Sequence, residues 1–245
     1  YEGEWDAGNQ HMRGTMKYFS GDSYSGEWHR GEYHGLGEFT YSSGPLKSYY
    51  GKWEYGKRLD VADRTARLTY RDGGSYKGDF KTEAETGVGM KYYPNGDLYE
   101  GDLLEGKRHG HGSMLYESIG ERWIGPWKDD MREGPGVLQL KDGNKVTGTW
   151  SLGVLQKAET SIKFPDHNVY TGTLTDLTVA GQNSRFRMDG YGKMVYRNGG
   201  FYEGTWAKDV FHGHGTFLDS ENNKYVGDWV RGVKHGRGWF KRASD

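Results

Sequence analysis

Cysteine is absent from the 245-residue chain, which excludes disulfides and thiolate metal sites and suits a reducing compartment such as the cytoplasm. Long apolar runs are missing too: none approaches the roughly 18 residues that suggest a membrane span. Nor is there a net field of either sign. With 33 Lys and Arg against 34 Asp and Glu, the net charge is −1, so nothing global draws the chain to nucleic acid or to an acidic surface. Proline is scarce, at 5 residues, and hydrophobic residues reach only 33%, below the about 45–50% usual in globular domains. What is abundant is glycine, 41 residues, and aromatic side chains, 15%. A disordered chain would be poor in aromatics, and collagen would need glycine at every third position with much proline. No signal-peptide pattern is present, but the chain opens at Tyr1 in mid-motif, which leaves its targeting unread.

The aromatics and glycines recur together. Aromatic-x-Gly-x-aromatic, or a close copy, begins at Tyr1, Tyr24, Tyr49, Tyr76, Tyr99, Trp123, Val146, Tyr170, Tyr202 and Tyr225, at intervals of 23, 25, 27, 23, 24, 23, 24, 32 and 23 residues. A second element comes after each first. It is best formed at Gly31-x-x-His34-Gly35-Leu36-Gly37, Gly106 to Gly112 and Gly232 to Gly238, and an apolar stretch such as Phe39-Thr40-Tyr41 comes next. Turn residues then close the unit, as at Asn95-Gly96-Asp97, Asp142-Gly143-Asn144 and Asn198-Gly199-Gly200. A fixed period of this length marks a repeat architecture.

Each unit reads as two short strands. Alternation puts Tyr24, Gly26 and Trp28 on one face and Ser25 and Glu27 on the other. In the next strand Gly35, Gly37 and Phe39 share a face, so large rings have glycine gaps to lie across. Asn-Gly and Asp-Gly supply the positive φ of tight turns. No 3.6-residue period is sustained, so little helix is expected. The predicted fold is all-β: about ten tandem hairpins over residues 1–245, joined in chain order into an elongated, twisted, single-layer antiparallel sheet roughly 90–100 Å long.

The motif Tyr-x-Gly-x-Trp-x-x-Gly-x-x-His-Gly-x-Gly, nearly complete at 24–37, 202–215 and 225–238, resembles the MORN (membrane occupation and recognition nexus) repeat, and the resemblance covers essentially the whole chain. It implies an extended antiparallel sheet serving as a scaffold, associated with cilia, flagella, cytoskeletal collars and membrane–cytoskeleton junctions, that binds partner helices or peptides along its aromatics. Three units depart from the pattern. Arg64-Thr65-Ala66 stands where Gly-x-Gly is expected, with four extra residues after Trp53. Ala158-Glu159-Thr160 fills that slot behind Val146. Leu174 replaces a Trp, ahead of an irregular insertion at about 175–189 that contains Phe186.

Tyr202, Trp206, Tyr225, Trp229, Tyr24 and Trp28 are the expected partner-binding rings, since aromatics dominate interface hot spots; packing within the fold is their competing role. The basic stretch Arg231, Lys234, Arg237, Lys241 and Arg242 is a weak candidate for anionic lipid, against the plainer reading of a solvated strand face. His109-x-His111 and His212-x-His214 lack the further ligands of a metal site, and the histidine of the motif is expected to hydrogen-bond backbone. No helix comes after a Gly-x-Gly and no Gly-Lys-Ser/Thr occurs, so a phosphate loop is excluded. No nucleophile and base are paired. The expectation is a non-enzymatic scaffold without cofactor or metal, partnered by protein rather than nucleic acid. Anionic membrane contact, self-association and service as the targeting segment of a larger enzyme remain open alternatives.

Overall fold

The computed structural model describes residues 1–81, 84–176 and 185–244. Among them there are strands and turns and no helix, as the missing 3.6-residue period required. By contact the chain divides into two compact units, Tyr1–Ser118 with Trp127–Asp130, and Ile119–Pro126 with Met131–Asp245. Within the first unit, strands from Glu2–Asp6 to Lys107–Tyr116 pair antiparallel in chain order. In the second the same order runs from Gly134–Gln139 to Val233–Lys241.

The hairpin at Ser23–His29 and Glu32–Thr40 shows why the sequence folds this way. Its two-residue turn is Arg30 at φ 50° and Gly31 at φ 86°, the doubly left-handed turn whose twist matches that of paired strands. The tight turn therefore lies inside the Trp-x-x-Gly segment, while Asn-Gly-Asp sequences serve the wider links between hairpins, with Gly96 at φ 89°. Turns also stack on one another: the Gly31, Gly56, Gly106 and Gly232 amides donate to the carbonyls of Gln10, Tyr33, Glu85 and Phe211 in the preceding hairpin.

Tyr24 and Trp28 are buried, at 0% and 4% exposure. Gly26 lies opposite Gly37 in register, and the Tyr24 ring fills the space above them, where a Cβ on Gly37 would stand 2.6 Å from Tyr24 Cε2. Three hydrogen bonds explain the remaining motif positions. Tyr1, Tyr24, Tyr76, Tyr99, Tyr170, Tyr202 and Tyr225 each donate a hydroxyl to the carbonyl three residues on, at 2.6–3.3 Å. The Trp28, Trp53, Trp206 and Trp229 indoles donate to the carbonyls of Gly14, Gly37, Gly192 and Gly215 in the preceding hairpin, at 3.0–3.4 Å. Glu27, Asp79, Asp102 and Asp228 accept the amides of Leu36, Val88, His111 and Arg237, closing the bulge that begins each second strand.

Tyrosine and tryptophan rings meet edge to face within a hairpin, 5.1 Å apart for Tyr24–Trp28 and 5.2 Å for Tyr202–Trp206, and again between hairpins, 5.5 Å for Tyr24–Trp53 and 5.6 Å for Tyr202–Trp229. Each such pair adds about 0.5–1.5 kcal/mol beyond area burial, so one sheet layer holds its own core.

The irregular units obey the same logic. Arg64 adopts φ 57°, the conformation of Gly35 at φ 55°, and Ala66 pairs with Gly78 in the glycine row. The four extra residues are absorbed by a break after Lys57–Arg58 and a register shift between Val61 and Ala66. Behind Val146, Ala158 pairs with Gly148 and is fully buried, as Ala66 is in the hairpin that Tyr49 opens. Residues 175–176 and 186–189 extend their strands, with Asp176 opposite Phe186, and residues 177–184 of the insertion lie outside the described residues.

Candidate binding face

The six rings expected to bind a partner are packed, Tyr24 and Trp28 on one face of the first unit and the other four on one face of the second. Tyr24, Trp28, Tyr202, Trp206, Tyr225 and Trp229 are all at 9% exposure or below. Burial pushes the Tyr202 hydroxyl up to about 12. Over the packed rings lies the residue directly opposite the aromatic or leucine that closes each first strand, half-buried or exposed except at Glu85 and Leu155, which are buried. In the first unit this is Gln10, Tyr33, Arg58, Glu85 and Arg108; in the second, Leu155, Met188, Phe211 and Lys234. The residue rests on the opening tyrosine: Tyr33 stacks on Tyr24 at 4.0 Å and Phe211 on Tyr202 at 3.8 Å, while Arg58 and Lys234 sit 4.9 and 4.8 Å over Tyr49 and Tyr225. Sequence reasoning missed this position. Its signal was a residue usually two places beyond the turn glycine that changes chemistry while its frame stays fixed.

A second row completes the face, formed by the residue that opens each link between hairpins: Tyr18, Tyr41, Tyr70, Tyr93, Leu140, Phe164, Tyr196 and Asp219, whose amides bond the far end of the link. Members of this row pair with the residue over the ring in the following hairpin. Tyr18 hydrogen-bonds Tyr33, Arg58 donates to Tyr41 at 2.5 Å, and Tyr70 donates to Glu85. Glu85 is buried at 3% exposure and also binds Lys91 Nζ at 2.5 Å. Asp219 is pulled below the usual carboxylate range first by Asn223, with the Lys234 charge acting in the same sense.

The histidines contribute carbonyls where side-chain bonds were expected: the Tyr24, Tyr99 and Tyr202 hydroxyls reach the carbonyls of His34, His109 and His212 at 3.3–3.4 Å. Among the described residues no group of three or more His, Asp or Glu is placed to hold a metal.

The basic stretch is divided between surfaces. Lys234 lies over rings, and Arg231 sits in a turn at φ 50°. Lys241 lies on the opposite face directly across from Lys224, beside Trp239, which faces Val226 and is 51% exposed. The strand carrying Arg237 is exposed throughout, and Arg242 comes just after its end.

Comparison with known families finds the MORN repeat at residues 1–23, 24–45, 99–118, 123–145, 187–201, 202–224 and 225–245. Alsin of Mus musculus and alsin of Homo sapiens are each 28% identical over 162 residues, which cover 64% of this chain and 8% of theirs. The chain thus spans a small part of those relatives. Among solved structures, the SAS-4 (dCPAP) TCP domain in complex with a Proline Rich Motif of Ana2 (dSTIL), of Drosophila melanogaster, aligns with 76% of this chain and 88% of that one at 12% identity. Its TM-score of 0.35 is too low for any feature to be carried across.

Proposed function

The chain belongs to the MORN repeat family, and on that premise we propose that it is a non-enzymatic scaffold whose ring face binds a helical or peptide segment of a partner protein. A cytoplasmic, cytoskeletal or ciliary assembly is its proposed setting. One observation carries the reading: on a face of constant packing, the residue over each ring runs through Gln10, Tyr33, Arg58, Glu85 and Arg108 in one unit and Leu155, Met188, Phe211 and Lys234 in the other. Seven of these nine residues are half-buried or exposed, Glu85 and Leu155 being the buried two, and variation at such a position is what partner recognition needs, with the buried rings as its rigid floor. A photoreactive amino acid at Phe39 or Phe217, both half-buried on the ring face, should trap a protein in cells. The same group at Ser25 or Thr216, on the other face, should trap none. Equal trapping from both faces would refute the reading.

A second reading, contact with an anionic membrane, is favoured by Lys224 and Lys241 standing directly opposite each other, with Lys224 Nζ 5.7 Å from the Trp239 ring. At about 1 kcal/mol per cation near such a surface, attachment would be modest and salt-sensitive. Sedimentation with phosphatidylserine vesicles should then fall when Lys224, Arg237 and Lys241 are all changed to Ser. Sedimentation unchanged by that triple variant removes this patch from consideration.

A further inference from the structure

Beside Phe211 the pairing of the two rows breaks down. Tyr18, Tyr41 and Tyr70 each hydrogen-bond the residue over the ring in the next hairpin. Tyr93 finds no hydroxyl partner among the described residues, but the residue over the ring in its next hairpin is the polar Arg108; Tyr196, with its amide on the Gly200 carbonyl, has Phe211 there, which offers no polar side-chain atom. The Tyr196 hydroxyl has no hydrogen-bond partner among the described residues, in a place where burial already pushes its pKa up. In front of it lies an open cleft of about 280 Å³ lined by Met188, Met194, Tyr196, Trp206, Val210 and Phe211, with Asp209 and Gly232 at its edge. A cavity of about 150 Å³ holds a benzene ring, so there is room for one large apolar side chain. The carboxylates beside the cleft are engaged within the chain, while two cations of its flanking turns are exposed. Lys208 and Arg231 stand exposed in the flanking turns, Asp209 accepts the Met188 amide at 2.7 Å, and Asp189 pairs with Arg187 at 3.5 Å.

We propose that this cleft is an anchor pocket of the ring face: it takes a leucine-sized or aromatic side chain of a partner segment, with an adjacent acidic residue set toward Lys208 and Arg231 and a partner acceptor for the Tyr196 hydroxyl. The pocket deepens the ring-face reading and rests on it. It also gives that reading a chemistry, since the partner must pair a bulky apolar residue with an acid. The Tyr18, Tyr41 and Tyr70 hydroxyls are answered within the chain, whereas Tyr196 is answered by the visitor.

The seven methionines of the chain provide the test, because Met188 and Met194 line the cleft. With methyl-labelled methionine, the probes are three blocked dipeptides: N-acetyl-Leu-Glu-amide, N-acetyl-Leu-Lys-amide and N-acetyl-Ala-Glu-amide. The Leu-Glu probe should shift the Met188 and Met194 methyls saturably and leave Met16, Met90 and Met114 unmoved. Leu-Lys should bind at least about threefold more weakly, and Ala-Glu should give no saturable shift. Phe211→Arg should abolish binding, because an arginine there can reach Tyr196 as Arg58 reaches Tyr41. Val210→Glu, at an exposed position, gives the same answer by charge should Phe211→Arg fail to fold. The pocket is overturned if the two methyls do not respond saturably, if Ala-Glu matches Leu-Glu, or if a folded variant binds as well as the parent. A dipeptide is too short to report on the whole face, so the pocket can fail while cross-linking still supports the scaffold.

Discussion

Gly37 is shaped by Tyr24, and the two can be varied together. A Cβ on Gly37 would penetrate the Tyr24 ring, so Gly37→Ala should cost about 1–3 kcal/mol by overpacking, while Ser25→Ala on the exposed face should cost little. The chain holds a smaller pair in the corresponding places, Val146 with buried Ala158, and one alanine, Ala66, that shares its hairpin with a tyrosine, Tyr49. Adding Tyr24→Val to Gly37→Ala should therefore recover part of the loss, with a coupling of about 0.5–3 kcal/mol in urea melts. Strict additivity would mean that ring and glycine do not share the space. Trp53→Phe keeps a ring but removes the indole bond to the Gly37 carbonyl, at a cost of about 0.5–1.5 kcal/mol. At this scale the sequence was informative, because alternation alone puts Tyr24, Gly26 and Trp28 on one face. It could not say that the rings would be wholly covered, since coverage comes from the next hairpin's tryptophan.

Within a hairpin, the bulge after the turn needs one residue at positive φ and a carboxylate over its amides. Arg64 is held at φ 57° where other hairpins use glycine, so Arg64→Gly should raise stability by up to about 1 kcal/mol. A loss in thermal melts would show that the arginine side chain does more than occupy the turn. In the last hairpin Asp228 is pulled below the usual carboxylate range first by its bond to His214 and then by the Arg237 amide. A carboxylate lowered in the folded state stabilises fully above its unfolded pKa and loses that contribution as pH falls through the folded value. The Arg237 amide shift should accordingly titrate with a midpoint below about 3.9, the reference for Asp, and should stop titrating in Asp228→Asn. The ten starts were legible because rings and glycines recur at fixed spacing. The bulge was not, because Arg64 and Met12, at φ 52°, hide a glycine's conformation under another side chain. The residue over the ring was missed for the opposite reason: its identity changes along the array, so a search for repetition passes over it.

Across the chain, contacts join strands that neighbour each other in sequence, the condition for stability built from local units and the interfaces between them. Gly37→Ala should therefore loosen amide exchange in strands Asn9–Lys17 through Leu46–Glu54 and leave Phe201–Ala207 and Lys224–Val230 as protected as before. A uniform loss would point to a single cooperative core. Repeat period and turn chemistry were enough to read the all-β class and the chain-order pairing. The division of the basic stretch between faces was not readable, since it depends on where the bulge between Gly227 and Asp228 resets the register. The proposed function rests at this scale on rings that build a face and on one changing residue per hairpin that would give the face its chemistry.

An exchange of two such residues, Phe211→Lys with Lys234→Phe, tests that claim most directly, because composition and frame are kept and only the order along the face is reversed. Its affinity for the partner trapped by ring-face cross-linking would be measured beside its melting curve. The expected result is a Tm within a few degrees of the parent, the shift that about 1 kcal/mol produces in a chain of this size, together with an affinity at least about tenfold weaker. Unchanged affinity in the folded double variant would contradict the claim and place recognition elsewhere on the molecule.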